Sequence, residues 1–244
     1  MRIHLFFFSL MVCLMTVMTA AETASQKKVE EMLDDIHWLG QAAVRIESGE
    51  KTVYIDPYKI DGGAKADLIL ITHPHQDHLS VADIRQVIRP QTVLVTCPAC
   101  LEILKREFEN DIVILPAGES RSIGGLRIEA VPAYNVQKTF HKKESGWVGF
   151  VIRVEGVRIY HTGDTERIPE MKGIACDIIL LPLGRTYTMS GPEEAAGAAL
   201  DSGARIAIPI HYGMYEGTAE DARRFQELLE GKIQVVIKKA ESIP

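Results

Sequence analysis

His73-Pro74-His75-Gln76-Asp77-His78, preceded by the apolar run Leu68-Ile69-Leu70-Ile71, is the stretch on which the reading of this chain turns. The run is short and continuously apolar, as expected of a strand buried on both faces. The polar cluster therefore sits where a strand ends and the chain turns outward. Three imidazoles and a carboxylate within six residues suit zinc or a similar divalent ion. Without a cation, several ionisable groups would be crowded into one small volume. A His-rich solvated turn is the competing reading, and the tight H-x-H-x-D-H spacing after a strand argues against it.

The pattern resembles the signature of the metallo-β-lactamase superfamily, and two further stretches match in order. Asp164, in His161-Thr162-Gly163-Asp164-Thr165, follows the strand-like stretches 150–154 and 157–160 and looks like the family's metal-bridging Asp. His211, in Ile208-Pro209-Ile210-His211-Tyr212-Gly213, looks like its final His. The resemblance runs from about residue 36 to 239. It implies an α/β fold, the four-layer αββα sandwich. It also implies a hydrolase with one or two divalent ions, zinc first and manganese or iron otherwise. By resemblance, His73 and His75 hold one ion, Asp77, His78 and His211 the other, and Asp164 both. A hydroxide held between them, oriented by Asp77, would attack an ester, lactone, amide or phosphodiester. The wording around Ala133-Tyr134-Asn135 and Tyr160-His161-Thr162-Gly163-Asp164 is similar to the branch of ascorbate-phosphate lactonase and N-acyl-phosphatidylethanolamine phospholipase D.

One expected ligand is missing. After the strand-like 126–131, the family places a His, whereas this chain reads Pro132-Ala133-Tyr134-Asn135. His141 folding back, Asn135 or water are the candidates for the third position of the first ion. If none fills it, that ion is the weaker one.

The 244 residues suit one large domain. With 46% hydrophobic and 25% charged residues, a net charge of −6 and no basic run, nucleic acid is not expected as a partner; a small molecule is. Arg2, an apolar stretch from Leu5 to Val17 and small residues before Glu22 read as a signal peptide over 1–21. The mature protein is then exported, periplasmic or secreted, with no stable membrane span; an uncleaved anchor is the alternative. Residues 22–35 read as a linker or short helix, and 36–244 as the hydrolase domain. Cys97-Pro98-Ala99-Cys100 reads as a helix start more readily than as a redox pair. Oligomeric state is left open.

Hairpins are expected at 44–55 and 150–160, and the two echo one another: Trp38-Leu39-Gly40 by Trp147-Val148-Gly149, Val44-Arg45-Ile46-Glu47 by Ile152-Arg153-Val154-Glu155. Two β-rich halves with an internal pseudo-repeat fit two packed sheets. Ser80 and Thr218 read as helix caps, Ser190 as the start of a capping box. Runs at 112–115, 178–183, 206–210 and 233–237 read as buried strands.

Beyond the ligands, Asp56 at the end of the first hairpin suits a hydrogen bond to a ligand His, or a plain turn role. Tyr187 and Arg185, in the loop after 178–183, are candidates for substrate contact, with Tyr134 and Tyr212 beside them. His161 reads as a core His with a satisfied partner, and His37 as structural. An iron-dependent oxidoreductase of the same fold and a non-catalytic metal-binding protein are the alternatives to a hydrolase; a β-lactamase is disfavoured because Asp164 belongs to the other hydrolase branches.

Overall fold

The computed structural model describes residues 22–241, so the leader segment lies outside the described residues. The chain divides between Asp34 and Asp35 into two compact units. In the first, residues 22–31 are helical. The second holds two sheets. One contains, in spatial and sequence order, β1 (Ile36–Gly40), β2 (Ala43–Ser48), β3 (Lys51–Ile55), β4 (Leu68–Ile71), β5 (Val93–Thr96) and β6 (Ile112–Ile114). The other runs from β7 (Ser120–Ile123) through β8 (Leu126–Pro132), β9 (Val148–Val154), β10 (Val157–His161), β11 (Ile178–Pro182) and β12 (Ile206–Ile210) to β13 (Gln234–Val235). Helices α1 (Val81–Val87), α2 (Leu101–Glu107), α3 (Pro192–Asp201) and α4 (Ala219–Leu229) flank them, giving the αββα sandwich.

Each sheet begins antiparallel and turns parallel. β1 to β3 alternate in direction, then β3 to β6 run together. β7 to β10 alternate, then β10 to β13 run together. The pseudo-repeat is thus real at the level of hairpin followed by parallel strands. Its Trp-x-Gly part is not: Trp38-Leu39-Gly40 closes β1 and turns, whereas Trp147 leads straight into β9. Parallel strands need crossovers, and those crossovers cover the sheet faces. Accordingly all side chains of β4, β11 and β12 are buried. Full burial of each Leu or Ile contributes roughly 1.5–3 kcal/mol, which anchors the strand ends that carry the polar loops.

Three local expectations are corrected. Residues 112–114 form a half-buried strand, and the run at 233–237 yields only the two-residue β13 with Gln234 exposed; both lie at sheet edges, where one flank lacks a neighbour. The capping box at Ser190 does not form, because α3 starts at Pro192 with Gly191 as its cap; Glu194 instead accepts from the Ser190 N–H at 2.7 Å. Ser80 and Thr218 do cap α1 and α4. Among the described residues, no helix is long and apolar enough to cross a membrane.

Candidate functional site

Parallel pairing aligns the carboxyl ends of β3 and β4 in one sheet and of β10, β11 and β12 in the other. Asp56 follows β3, His73 to His78 follow β4, Asp164 follows β10, Tyr187 follows β11 and His211 follows β12. These loops meet. Two glycines allow the approach: a Cβ on Gly149 would lie 2.5 Å from the Thr162 carbonyl oxygen, and one on Gly163, at φ +63°, would lie 2.8 Å from that of Val148.

Three sets of side chains have potential ligand atoms within 4.8 Å of one another: His73, His75 and His141; His73, His78 and Asp164; Asp77, His78 and His211. His141 is therefore the residue brought to His73 and His75, its Nε2 3.2 Å from Nδ1 of His75, which lies 3.1 Å from Nε2 of His73. Asn135 is not in the set. Its backbone N–H donates to the His141 carbonyl at 2.7 Å and its amide to the Tyr187 carbonyl, so it shapes the loop that returns His141. Asp164 is central: Oδ2 lies 3.9, 3.4 and 3.6 Å from Nε2 of His73, His78 and His141, while Oδ1 lies 3.3 Å from Nε2 of His211.

The remaining ring nitrogens are held from outside, which fixes tautomers. His78 Nδ1 donates to Asp56 Oδ2 at 2.7 Å. The Thr72 hydroxyl donates to the same oxygen at 2.6 Å and accepts from His73 Nδ1 at 2.9 Å. His141 Nδ1 donates to the Tyr187 carbonyl at 2.8 Å. All three histidines thus turn Nε2, the nitrogen a metal would take, towards one another. The indole of Trp147 stacks on His73, with ring centroids 4.7 Å apart. Asp56 is fully buried, and its other oxygen accepts the Thr72 N–H at 2.8 Å.

The electrostatics of the cluster suit a bound cation. Burial holds His73, His75 and His141 below the ordinary imidazole range, the form a metal ligand needs. Burial also works against charge on His78, but the carboxylates of Asp164 and Asp56 outweigh it and lift it well above that range. His211 is raised in the same way by Asp164. Burial opposes ionisation of Asp164, yet His211 and His78 keep it well below the usual carboxylate range. The carboxylates that favour positive charge on these two imidazoles would equally favour a bound cation. His78 Nε2 and Asp164 Oδ1 are buried without a hydrogen-bond partner and face this same space. Orphaned buried atoms of this kind need an explanation, and one or two divalent ions supply it. The donor set fits: nitrogens from His73, His75 and His141 on one side, and Asp77, His78 and His211 on the other, with Asp164 between.

Four contributors belong to no motif of the sequence. Gln41, at φ +46° in the β1–β2 turn, places its amide nitrogen 2.8 Å from His211 Nε2 and 3.0 Å from Asp77 Oδ2. Glu216 Oε2 accepts the backbone N–H groups of Arg185, Thr186 and Tyr187 at 3.0, 2.8 and 3.1 Å. Its Oε1 lies 3.8 Å from His211 Nδ1, and only its closeness in sequence to His211 hinted at this. Tyr58 and Tyr215 join across the chain through hydroxyls 2.5 Å apart.

Other candidates lie elsewhere. Arg185 pairs with Asp221 at 2.5 Å and does not line the site. Tyr134 bonds Glu170, and Tyr212 stacks on Trp38. His161 is buried, with Nε2 donating to the Ala42 carbonyl at 2.9 Å. His37 pairs with Glu241 away from the cluster. Cys97 and Cys100 are buried thiols at the start of a 3-10 turn, sulfurs 3.9 Å apart.

His75, His141, His211, Asp77 and Asp164 floor a cleft of about 420 Å³, lined also by Tyr58, Phe140, Tyr187 and Tyr215. Its size suits a small molecule.

A profile described as Beta-lactamase superfamily domain matches residues 35–211. A UPF0173 metal-dependent hydrolase of Methanoregula boonei is 35% identical over 204 residues, covering 79% of this chain and 88% of the relative. One from a Geobacillus species is 34% identical over 232 residues, covering 84% and 96%. Among solved structures, a protein of Parabacteroides distasonis described as a metal-dependent hydrolase superposes with a TM-score of 0.73 at 30% identity, over 83% of this chain and 91% of that one. A metallo hydrolase of Ignicoccus hospitalis shares the fold, with a TM-score of 0.71 at 22% identity over 84% and 94%.

Proposed function

Since this chain belongs to the β-lactamase superfamily and is a metal-dependent hydrolase of that fold, we propose that it hydrolyses an ester, lactone or phosphodiester of a small molecule at the His/Asp cluster. The observation that carries this reading is the inward convergence of His73, His75, His78, His141, Asp77, Asp164 and His211, five of which line one cleft while His73 and His78 are buried, with ligand-type atoms left unpartnered.

Bound divalent ions would supply Lewis acidity, lowering the pKa of a water and polarising the scissile carbonyl or phosphoryl oxygen. The chain's own residues do the rest. Asp164 turns one oxygen to His73, His78 and His141 and the other to His211, so it could serve ions on both sides. Asp77 is the most solvent-accessible of the carboxylates in the cluster, its side chain 27% exposed, and faces the cleft. It is placed to accept a proton from an attacking water and orient its oxygen. Asp56, Thr72 and the Tyr187 carbonyl hold His78, His73 and His141 in the ligating tautomer. The Tyr58, Phe140, Tyr187 and Tyr215 side chains narrow access for water above the floor.

Zinc is the first expectation for the metal, with manganese and iron compatible with the same donors. The hydrolase names of the relatives favour this reading over the oxidoreductase and binding-only alternatives. The test is metal-stripped full-length protein reloaded in turn with zinc, manganese and iron(II), assayed on esters, lactones and phosphodiesters. Metal-dependent turnover of at least one class, abolished by a chelator, is the expected result. Stoichiometric metal uptake without turnover of any class would refute it.

A further inference from the structure

Three of the six exposed large hydrophobic side chains among the described residues surround this one cleft: Phe140, Tyr187 and Tyr215, 46%, 44% and 54% exposed. Scattered apolar side chains on a surface need no account, but three at the mouth of a polar site do. Phe140 and Tyr187 meet edge to face with centroids 5.0 Å apart. Tyr215 leans on Tyr58, ring centroids 6.4 Å apart. Two aromatic pairs, each fixed by its own contact, therefore rim a floor of imidazoles and carboxylates.

Charge is arranged just as unevenly. Among the described residues that line the cleft, none is Lys or Arg. Lys59 holds its ammonium 5.5 and 5.3 Å from the ring centroids of Tyr58 and Tyr215 and is not one of the lining residues. Arg185, the cation nearest in sequence to Tyr187, is taken by Asp221. Recognition of a phosphodiester normally uses Arg or Lys around the non-bridging oxygens. Here the periphery offers neutral π-faces and phenol hydroxyls instead.

We propose that the preferred substrate is an uncharged carboxylic ester or lactone carrying an aromatic or similarly flat apolar group, which seats against the rim while the carbonyl reaches the floor. This rests on the hydrolase reading above and narrows it. The oxygen of water adds to the carbonyl carbon and the acyl C–O bond breaks. One proton of water ends on the departing alkoxide, and the other leaves the new carboxylic acid for solvent.

The test uses metal-loaded full-length protein and three probes. Methyl 3-phenylpropionate and methyl butyrate share a leaving group and carbonyl reactivity and differ in the ring. Methyl 3-phenylpropyl phosphate keeps the ring and carries an anion. Methyl 3-phenylpropionate should exceed methyl butyrate in kcat/KM by about tenfold, the size of one good ring contact. Phe140→Ala and Tyr215→Ala should each move that ratio towards one. Equal kcat/KM for the two esters, or a ratio unmoved in both variants, overturns the proposal. Turnover of the phosphodiester in preference to both esters overturns it too, while leaving the hydrolase reading intact. Absence of turnover with all three probes, and across the wider panel of esters, lactones and phosphodiesters, refutes the hydrolase reading and this proposal with it.

Discussion

Asp56→Asn changes one atom and should be felt at the metal. The carboxylate is fully buried and accepts three hydrogen bonds, from Thr72 N, the Thr72 hydroxyl and His78 Nδ1, at 2.8, 2.6 and 2.7 Å. Asn is isosteric and tolerates the φ of +46° found there, so the backbone gives no reason to move. If the amide oxygen keeps the Thr72 N–H, the new NH₂ faces His78 Nδ1, which must then accept. The imidazole proton shifts to Nε2, the atom 3.4 Å from Asp164, and a protonated nitrogen has no lone pair for a metal. Loss of such a partner typically weakens metal binding about 10–100-fold. If the amide flips instead, His78 is spared and the NH₂ opposes the Thr72 N–H, leaving a buried donor unpaired at about 1–3 kcal/mol of stability. Competition against a chromophoric chelator reads the first outcome, and denaturant unfolding of the metal-free protein reads the second. A variant that binds metal as tightly as the wild type and is equally stable would refute the reasoning and reduce Asp56 to a turn residue.

Asp164→Ala should remove more metal than any other single carboxylate change, by elemental analysis after dialysis, because Asp164 lies within 3.9 Å of His73 and His141 on one side and of His78 and His211 on the other; full retention would contradict the bridging assignment. His161 is held below its ordinary value of about 6.5 by burial, so the unfolded chain binds more protons than the fold as pH drops below that value. Stability should therefore fall on acidification from near 6.5, and His161→Gln should flatten that part of the profile in denaturant titrations. Gly149→Ala drives a Cβ into the Thr162 and His161 carbonyls at 2.5 and 2.6 Å and should lower stability by about 1–3 kcal/mol, read as a depressed Tm. Export remains a proposal from the leader sequence: N-terminal sequencing of natively expressed protein should begin near Glu22, and a cytoplasmic chain starting at Met1 would sink it.

The candidate ligands near strand ends were legible for two reasons. His73, His75, Asp77 and His78 form a short, dense pattern after an apolar run, and Asp164 and His211 match the superfamily resemblance in order. His141 could not be separated from Asn135, because the choice depends on how residues 135–141 fold back. That path is set by long-range bonds, with Glu166 Oε2 accepting the N–H groups of Val136 and Gln137 at 2.6 and 2.7 Å. Gln41 and Glu216 belong to no metal motif and act through geometry alone. Tyr58 and Tyr215 lie 157 residues apart, and no periodicity links them. The two sheets were legible from their hairpins and apolar runs. Edge strands were not, since an apolar run does not reveal which of its flanks will lack a neighbour.

Glu216 ties together two histidines from separate loops. One of its oxygens grips the backbone of residues 185–187, whose Tyr187 carbonyl orients His141, and the other faces His211. A shift of that carboxylate on loading at His211 would be transmitted to the tautomer-setting bond of His141, and the reverse would hold. By thermodynamic linkage, whatever factor one ion contributes to the affinity of the second must be returned in full. Were two ions bound, the affinities of the two positions would be linked through Glu216, and Glu216→Gln should uncouple them.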